Sequence, residues 1–145
     1  MRYYPYKEFV QDLKKLSHQI DYDYDAIVAI GRGGMTMAHM LGELWDERRV
    51  YTLNSIAYED TKKLDGVEIF NIPDLTEAKR VLVVDDIVDS GDTMEAVVKA
   101  LKERFKQLDI DVAALFYKPA AGFRPTYYLH ETREWIDFFW TRDIR

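Results

Sequence analysis

The stretch Val81-Leu82-Val83-Val84-Asp85-Asp86-Ile87-Val88-Asp89-Ser90-Gly91-Asp92-Thr93 constrains the fold more than any other part of the chain. Its first four residues are apolar and valine-rich, the pattern of a strand buried on both faces in a parallel sheet. Two carboxylates stand at its carboxyl end, and a turn of small residues then opens a helix. In an open parallel α/β sheet the ligand crevice lies outside the carboxyl ends of the strands, so Asp85 and Asp86 are predicted at its rim. Neighbours along a strand point to opposite faces, so the two acids cannot both do one job in one place. Asp89 to Thr93 offers a glycine where the backbone must turn tightly, hydroxyls from Ser90 and Thr93, and the N–H groups of a helix start. That is an anion cradle, favoured further by the helix dipole. Taken alone, Asp89, Ser90 or Thr93 would as readily be a helix cap. The strand and double acid in front of them turn the reading toward a ligand.

The same plan occurs once before. Ala26-Ile27-Val28-Ala29-Ile30 is a short apolar run, Gly31-Arg32-Gly33-Gly34 a glycine turn, and Met35 to Trp45 an apolar helix. Glycines around one arginine let the backbone approach an anion closely, and the guanidinium presents a planar fork of donors to phosphate oxygens. The G-x-G-x-x-G spacing of dinucleotide folds is absent. Met35, Met37 and Met40 read as packing residues and His39 as a surface or satisfied histidine, because no His/Cys cluster accompanies them.

Around these two units the chain is regular. Phe9, Leu13, Leu16 and Ile20 fall at helical spacing, and strands are predicted at Val50 to Ile56, Val67 to Phe70 and Val112 to Tyr117. A helix from Thr93 to Lys106 carries Met94, Val97, Val98, Leu101 and Phe105 on one side. Strands alternating with helices give an α/β fold with a central parallel sheet flanked by helices. The chain's 145 residues suit one core and are too few for two ordinary domains, so a single domain over 1–145 is expected. A net charge of −6 leaves no electrostatic footprint for nucleic acid or an anionic membrane, so an anionic ligand must be caught locally. The absence of cysteine excludes disulfides and thiolate chemistry. No apolar run approaches the roughly 18 residues of a membrane span, and the start lacks a signal-peptide core, so a cytoplasmic protein is expected. The abundant aromatics read as core and interface residues, which suggests a homo-oligomer, a dimer or larger.

The segment Val81 to Thr93 resembles the phosphoribosyl pyrophosphate signature of type I phosphoribosyltransferases, without gaps. That resemblance implies that Asp85 and Asp86 hold the ribose hydroxyls, with Asp86 near magnesium. It also implies that Asp89, Ser90, Gly91, Asp92 and Thr93 wrap the 5-phosphate, with Asp89 near the purine N7 as a catalytic acid–base group. The turn Gly31 to Gly34 resembles the family's pyrophosphate loop, with Arg32, Gly33 and Gly34 on the leaving group. Phe116-Tyr117-Lys118-Pro119 resembles the Phe-x-Lys-Pro stretch of the purine branch, in which the lysine bonds a 6-oxo group. Glu134-Trp135-Ile136-Asp137 resembles the hood of xanthine-guanine phosphoribosyltransferases. There Trp135 would stack on the base, main-chain groups near Ile136 would read its 2-position, and Asp137 would help hold magnesium. The loop at about 57–66 corresponds to a mobile lid; it has Ala57-Tyr58 where the family often has Ser-Tyr, which leaves Tyr58 as the covering residue.

The resemblance covers most of the chain and implies the type I fold with a small hood from about 119–145. It also implies purine salvage: magnesium-dependent transfer of 5-phosphoribosyl to guanine, xanthine or hypoxanthine. Three other readings compete with it. A regulator of this fold would bind phosphoribosyl pyrophosphate as a signal and contact nucleic acid through a basic face, which a charge of −6 does not supply. An enzyme for adenine or orotate would be at odds with Lys118 and the Trp-Ile-Asp sequence. A non-catalytic α/β signalling domain explains neither Arg32 nor Gly91.

Overall fold

The computed structural model describes residues 1–58 and 66–145. The elements run β1 (Arg2–Tyr4), α1 (Tyr6–Gln19), β2 (Ala26–Gly31), α2 (Met35–Leu44), β3 (Val50–Ala57) and β4 (Val67–Phe70). They continue with β5 (Arg80–Val88), α3 (Asp92–Arg104), β6 (Asp109–Tyr117), β7 (Tyr127–Glu131), β8 (Ile136–Phe138) and α4 (Phe139–Arg142). Six strands form one sheet in the order β4-β3-β2-β5-β6-β7, and β1 and β8 form a separate two-stranded sheet. Every pairing is parallel except that of β3 with β4.

The apolar runs explain the central strands. Pleating sends Leu82 and Val84 to one face, where they pack with Phe9, Leu13 and Leu16 of α1 and Met37 and Leu41 of α2. It sends Val81 and Val83 to the other, where Met94, Val97 and Leu101 of α3 cover them. Both faces are thus buried, which is why these strands read as continuous apolar segments instead of alternating ones. Strands β2 and β5 lie side by side, with Ala26 opposite Val81 and Ala29 opposite Val84. From β2 the chain crosses through α2 to β3 on one side, and from β5 it crosses through α3 to β6 on the other. The order therefore reverses between β2 and β5, and a sheet opens its crevice at such a switch point.

Strands β7 and β1 are among the elements that lie outside the sequence prediction. Tyr127-Tyr128-Leu129-His130-Glu131 shows neither a buried run nor alternation, yet it forms edge strand β7 beside β6. It sits inside the stretch allotted to the hood, but its pairing is with the main sheet. Arg2–Tyr4 is a strand because it meets β8 from the opposite end of the chain, with Arg2 opposite Ile136 and Tyr4 opposite Phe138. Pro5 then separates β1 from α1, its extended ψ of 159° marking the change of direction.

Candidate active site

A crevice of about 580 Å³ opens at the carboxyl ends of β2, β3 and β5. Gly31, Arg32 and Gly33 form one side, Asp85 and Asp86 the floor, and Asp89, Ser90, Gly91 and Thr93 the far side. The two loops that the sequence singles out thus face one cavity. Gly34 and Asp92 are not among its lining residues; they frame it from the starts of α2 and α3.

The glycines here answer to close approach. A Cβ on Gly33 would lie 2.5 Å from both carboxylate oxygens of Asp86, so the arginine loop rests directly on the acid. A Cβ on Gly34 would come within 2.3 Å of the Val84 carbonyl, and that backbone contact sets how tightly α2 seats on β5. Gly91 has φ 90°, a conformation that L side chains rarely adopt, and it turns the chain from β5 into α3. The first-turn N–H groups of α3 lack intrahelical partners; the Asp92 N–H is taken by Ser90 Oγ at 3.2 Å. Ser90 thus accepts through a lone pair while its O–H remains able to donate. The peptide bond from Gly31 to Arg32 is cis.

Asp85 and Asp86, expected on opposite faces of the strand, both line the one crevice at the strand end and are set against each other. The Asp86 N–H donates to Asp85 Oδ1 at 2.9 Å, and the Ile87 N–H donates to Asp86 Oδ1 at 2.8 Å. Loss of water holds the Asp85 carboxyl well above the usual carboxylate range, and the neighbouring Asp86 charge pushes it further. Asp86 is raised too, again chiefly by desolvation. Two crowded carboxylates of this kind favour a cation or hydroxyl donors close by. They are hard oxygen donors, the type that magnesium accepts. Among the described residues no group of three His, Cys, Asp or Glu side chains could hold a metal. Magnesium is usually held by one or two carboxylates together with substrate oxygens and water, and Asp85 and Asp86 are of that donor type.

On the other side of Asp89 lies Lys118. Its Nζ is 2.7 Å from Asp89 Oδ1, and its N–H donates to the Val88 carbonyl at 3.0 Å. The turn beyond it supports the phosphate loop: the Gly122 N–H donates to the Ser90 carbonyl at 3.1 Å, and a Cβ on Gly91 would meet the Phe123 nitrogen at 2.9 Å. The sequence gives no sign of this brace, because loop-to-loop main-chain bonds leave no side-chain pattern. Asn54 is a second residue that the sequence reading passes over. It lines the crevice from β3 and accepts a bond from Asn71 Nδ2 at 3.1 Å, Asn71 having φ 59°.

The remaining candidates stand apart from this cavity. Trp135 is 63% exposed, Ile136 has its side chain in the core, and Asp137 is paired with Arg142 Nη1 at 2.6 Å. Lys118, Trp135, Ile136 and Asp137 are not among the residues lining the 580 Å³ crevice. The β1–β8 register nonetheless bears on Ile136. In a parallel ladder a residue bonds the two neighbours of its opposite number, and the Arg2 N–H donates to the Trp135 carbonyl at 2.9 Å. The N–H and C=O of Ile136 therefore face the edge of β8 that β1 does not occupy. Tyr58, at the end of the β3–β4 hairpin, bonds through its hydroxyl to the Glu68 carboxylate. The rest of the stretch read as a lid, residues 59–65, lies outside the described residues.

Known proteins resemble this chain in sequence and fold. The phosphoribosyl transferase domain family matches residues 2–143. A xanthine-guanine phosphoribosyltransferase of Chromohalobacter salexigens is 31% identical over 137 residues, covering 92% of this chain and 80% of its own. The solved xanthine-guanine-hypoxanthine phosphoribosyltransferase of Helicobacter pylori superposes with a TM-score of 0.90 at 40% identity, covering 99% of this chain and 95% of that one. A purine phosphoribosyltransferase of Pyrococcus horikoshii gives 0.82 at 28% identity, with 97% and 93% covered. With a family match over nearly its whole length and the switch-point crevice built by the signature residues, the chain belongs to the type I phosphoribosyltransferases, in kinship with the xanthine-guanine enzymes.

Proposed function

We propose that the chain is a purine salvage enzyme that transfers the 5-phosphoribosyl group of phosphoribosyl pyrophosphate to N9 of guanine, xanthine or hypoxanthine, releasing pyrophosphate. The observation that carries this reading is the 2.7 Å contact between Lys118 Nζ and Asp89 Oδ1. It brings a cationic donor suited to a 6-oxo group against an acid of the phosphate loop, so that base and sugar sites adjoin. Adenine offers amino hydrogens where a 6-oxopurine offers lone pairs, and a lysine discriminates against it.

The residues divide the work. The loop from Asp89 to Thr93, with the Ser90 and Thr93 hydroxyls and the α3 dipole, takes the 5-phosphate. Asp85 and Asp86 accept from the ribose hydroxyls, which relieves their mutual crowding. Arg32 and the main chain of Gly33 and Gly34 receive the pyrophosphate as its charge develops. Bond cleavage at the anomeric carbon leaves an oxocarbenium-like sugar, as in glycoside chemistry, so holding the base in line matters as much as any proton. Asp89, released from Lys118 when the 6-oxo group takes the ammonium, accepts a proton from the purine near N7. Trp135 stacks on the ring and the Ile136 main chain faces its 2-position. When bound, magnesium would neutralise the pyrophosphate charge. Asp86, which lines the crevice, and Asp137 of the hood are the carboxylates that would hold it.

One domain spans 1–145 in this reading, the β1–β8 sheet serves as the hood, and the 57–66 loop with Tyr58 serves as the lid. No helix among the described residues is long and apolar enough to cross a membrane. The proposal places the enzyme in the cytoplasm as a dimer or tetramer, with exposed Tyr3 and Tyr6 as candidate contact residues. The test is pyrophosphate release with magnesium and phosphoribosyl pyrophosphate, base by base. Release with guanine, xanthine or hypoxanthine and not with adenine or uracil is expected. Release with no base would leave a phosphoribosyl pyrophosphate-binding regulator as the better reading.

A further inference from the structure

Trp135 precedes, and Ile136 begins, a strand of three residues that pairs only with β1 among the described residues. The purine-facing edge is thus only as well placed as Arg2–Tyr4. What fixes that strand is a buried polar knot remote from the crevice. Tyr4 is fully buried, and its hydroxyl donates to Asp12 Oδ2 on α1 at 2.7 Å. Burial and the Asp12 carboxylate push its phenol far above the ordinary range, so it remains a donor. Asp12 is itself only 4% exposed, and its same oxygen lies 2.8 Å from His130 Nε2 on β7. A buried carboxylate is costly without partners, so these two donors hold α1, β1 and β7 in one arrangement. The knot also reaches the other half of the base site. The Tyr4 ring meets Phe116 edge-on at 4.9 Å and Phe138 at 5.7 Å, and Phe116 lies two residues before Lys118.

Neither Tyr4, Asp12 nor His130 lines the crevice, and the chemistry proposed above gives them no task. We propose that Asp12 and Tyr4 are positioning residues of the purine site: through β1 they set the placement of β8, and with it the Ile136 carbonyl and the Trp135 ring. This rests on the purine reading given above. It bears on specificity, because guanine carries a 2-amino group that can donate to the Ile136 carbonyl and hypoxanthine has only hydrogen there. A shift of β8 therefore weakens guanine more than hypoxanthine.

The test compares Tyr4→Phe, Asp12→Asn and Trp135→Ala in the full chain, measuring kcat and KM for guanine, hypoxanthine and phosphoribosyl pyrophosphate, with a thermal melt for each. Tyr4→Phe keeps the ring packing and removes one hydroxyl, so it folds even where the Asp12 variant does not. It is expected to raise the guanine KM about five- to tenfold, the worth of one well-placed hydrogen bond. The kcat and the phosphoribosyl pyrophosphate KM should stay within about twofold, and the guanine-to-hypoxanthine ratio of kcat/KM should fall by a similar factor. Asp12→Asn, which keeps an acceptor oxygen and loses the charge, should fall between wild type and Tyr4→Phe. Equal losses for both bases and for phosphoribosyl pyrophosphate, or an unchanged guanine KM beside a raised one in Trp135→Ala, would overturn the positioning role alone. If Trp135→Ala leaves every purine KM unchanged, the purine reading itself fails, and the positioning role with it.

Discussion

At the scale of single residues, the site is a place where charge and space are both overdrawn. Asp85 shows it best: a carboxylate raised by burial and by Asp86 destabilises the folded chain at neutral pH, where it must either ionise or stay protonated at a cost. Asp85→Asn should therefore raise Tm at pH 7 while weakening phosphoribosyl pyrophosphate binding; a variant that loses both stability and affinity would show the carboxylate to be structural. Gly33 makes the matching steric point. Its missing Cβ leaves room for the Asp86 carboxylate, so Gly33→Ala should displace the acid and raise the KM for phosphoribosyl pyrophosphate about tenfold or more, with the purine KM little changed. Lys118→Gln keeps a donor and removes the charge. The loss of a charge-assisted bond, about 1.5–3 kcal/mol, predicts at least a tenfold drop in kcat/KM for guanine. Residues such as these were legible in the sequence because a carboxylate pair, a glycine beside an arginine and a lysine at a strand end each carry their chemistry in their type.

At the scale of elements, legibility followed burial. Strands β2, β5 and β6 are covered on both faces, so their apolar runs announce them, and α1 and α3 show the helical period of one-sided packing. Edge strand β7 and the terminal pair β1–β8 owe their form to partners distant in sequence, and no local pattern reports a partner. The brace from Gly122 to Ser90 was invisible for the same reason. One such link can be tested by pH. Asp25, just before β2, accepts main-chain N–H bonds from Arg80 at 3.0 Å and Lys79 at 2.8 Å, tying the start of β2 to that of β5. These bonds hold its pKa below the usual value. A lowered folded-state pKa means stability that is present above the unfolded value of about 4 and is lost as pH falls through the folded one. Asp25→Asn should cost on the order of 1 kcal/mol at pH 7, limited by the exposure of the site. The difference from wild type should close as pH drops below about 4, and a gap unchanged down to pH 3 would rule out the charge as its source.

At the scale of the whole molecule, the charge of −6 opposes the phosphoribosyl pyrophosphate proposed for the crevice. A long-range field of that sign repels a polyphosphate, so in the proposed reading affinity comes from groups within a few ångströms: Arg32, the glycine turns, the start of α3 and a counter-ion brought in with the substrate. Those groups hang from β2 and β5, on which both hydrophobic clusters also close, so filling the crevice ties together the loops at the centre of the fold. Binding should then register as global stability. At a hundredfold excess over Kd, a ligand that binds only the folded state adds about 2.7 kcal/mol. For a chain of this size, about 2–4 °C per kcal/mol gives a rise in Tm of about 5–11 °C with phosphoribosyl pyrophosphate and magnesium. Omitting magnesium, or substituting Arg32→Ala, should remove most of the rise at the same concentration, because each takes away charge that offsets the pyrophosphate. Duplex DNA should give no shift at low salt, where nucleic-acid contacts are strongest. A DNA shift comparable to that from phosphoribosyl pyrophosphate would mean that a basic surface had formed despite the net charge, and it would move the chain from the enzymes toward the regulators of its fold.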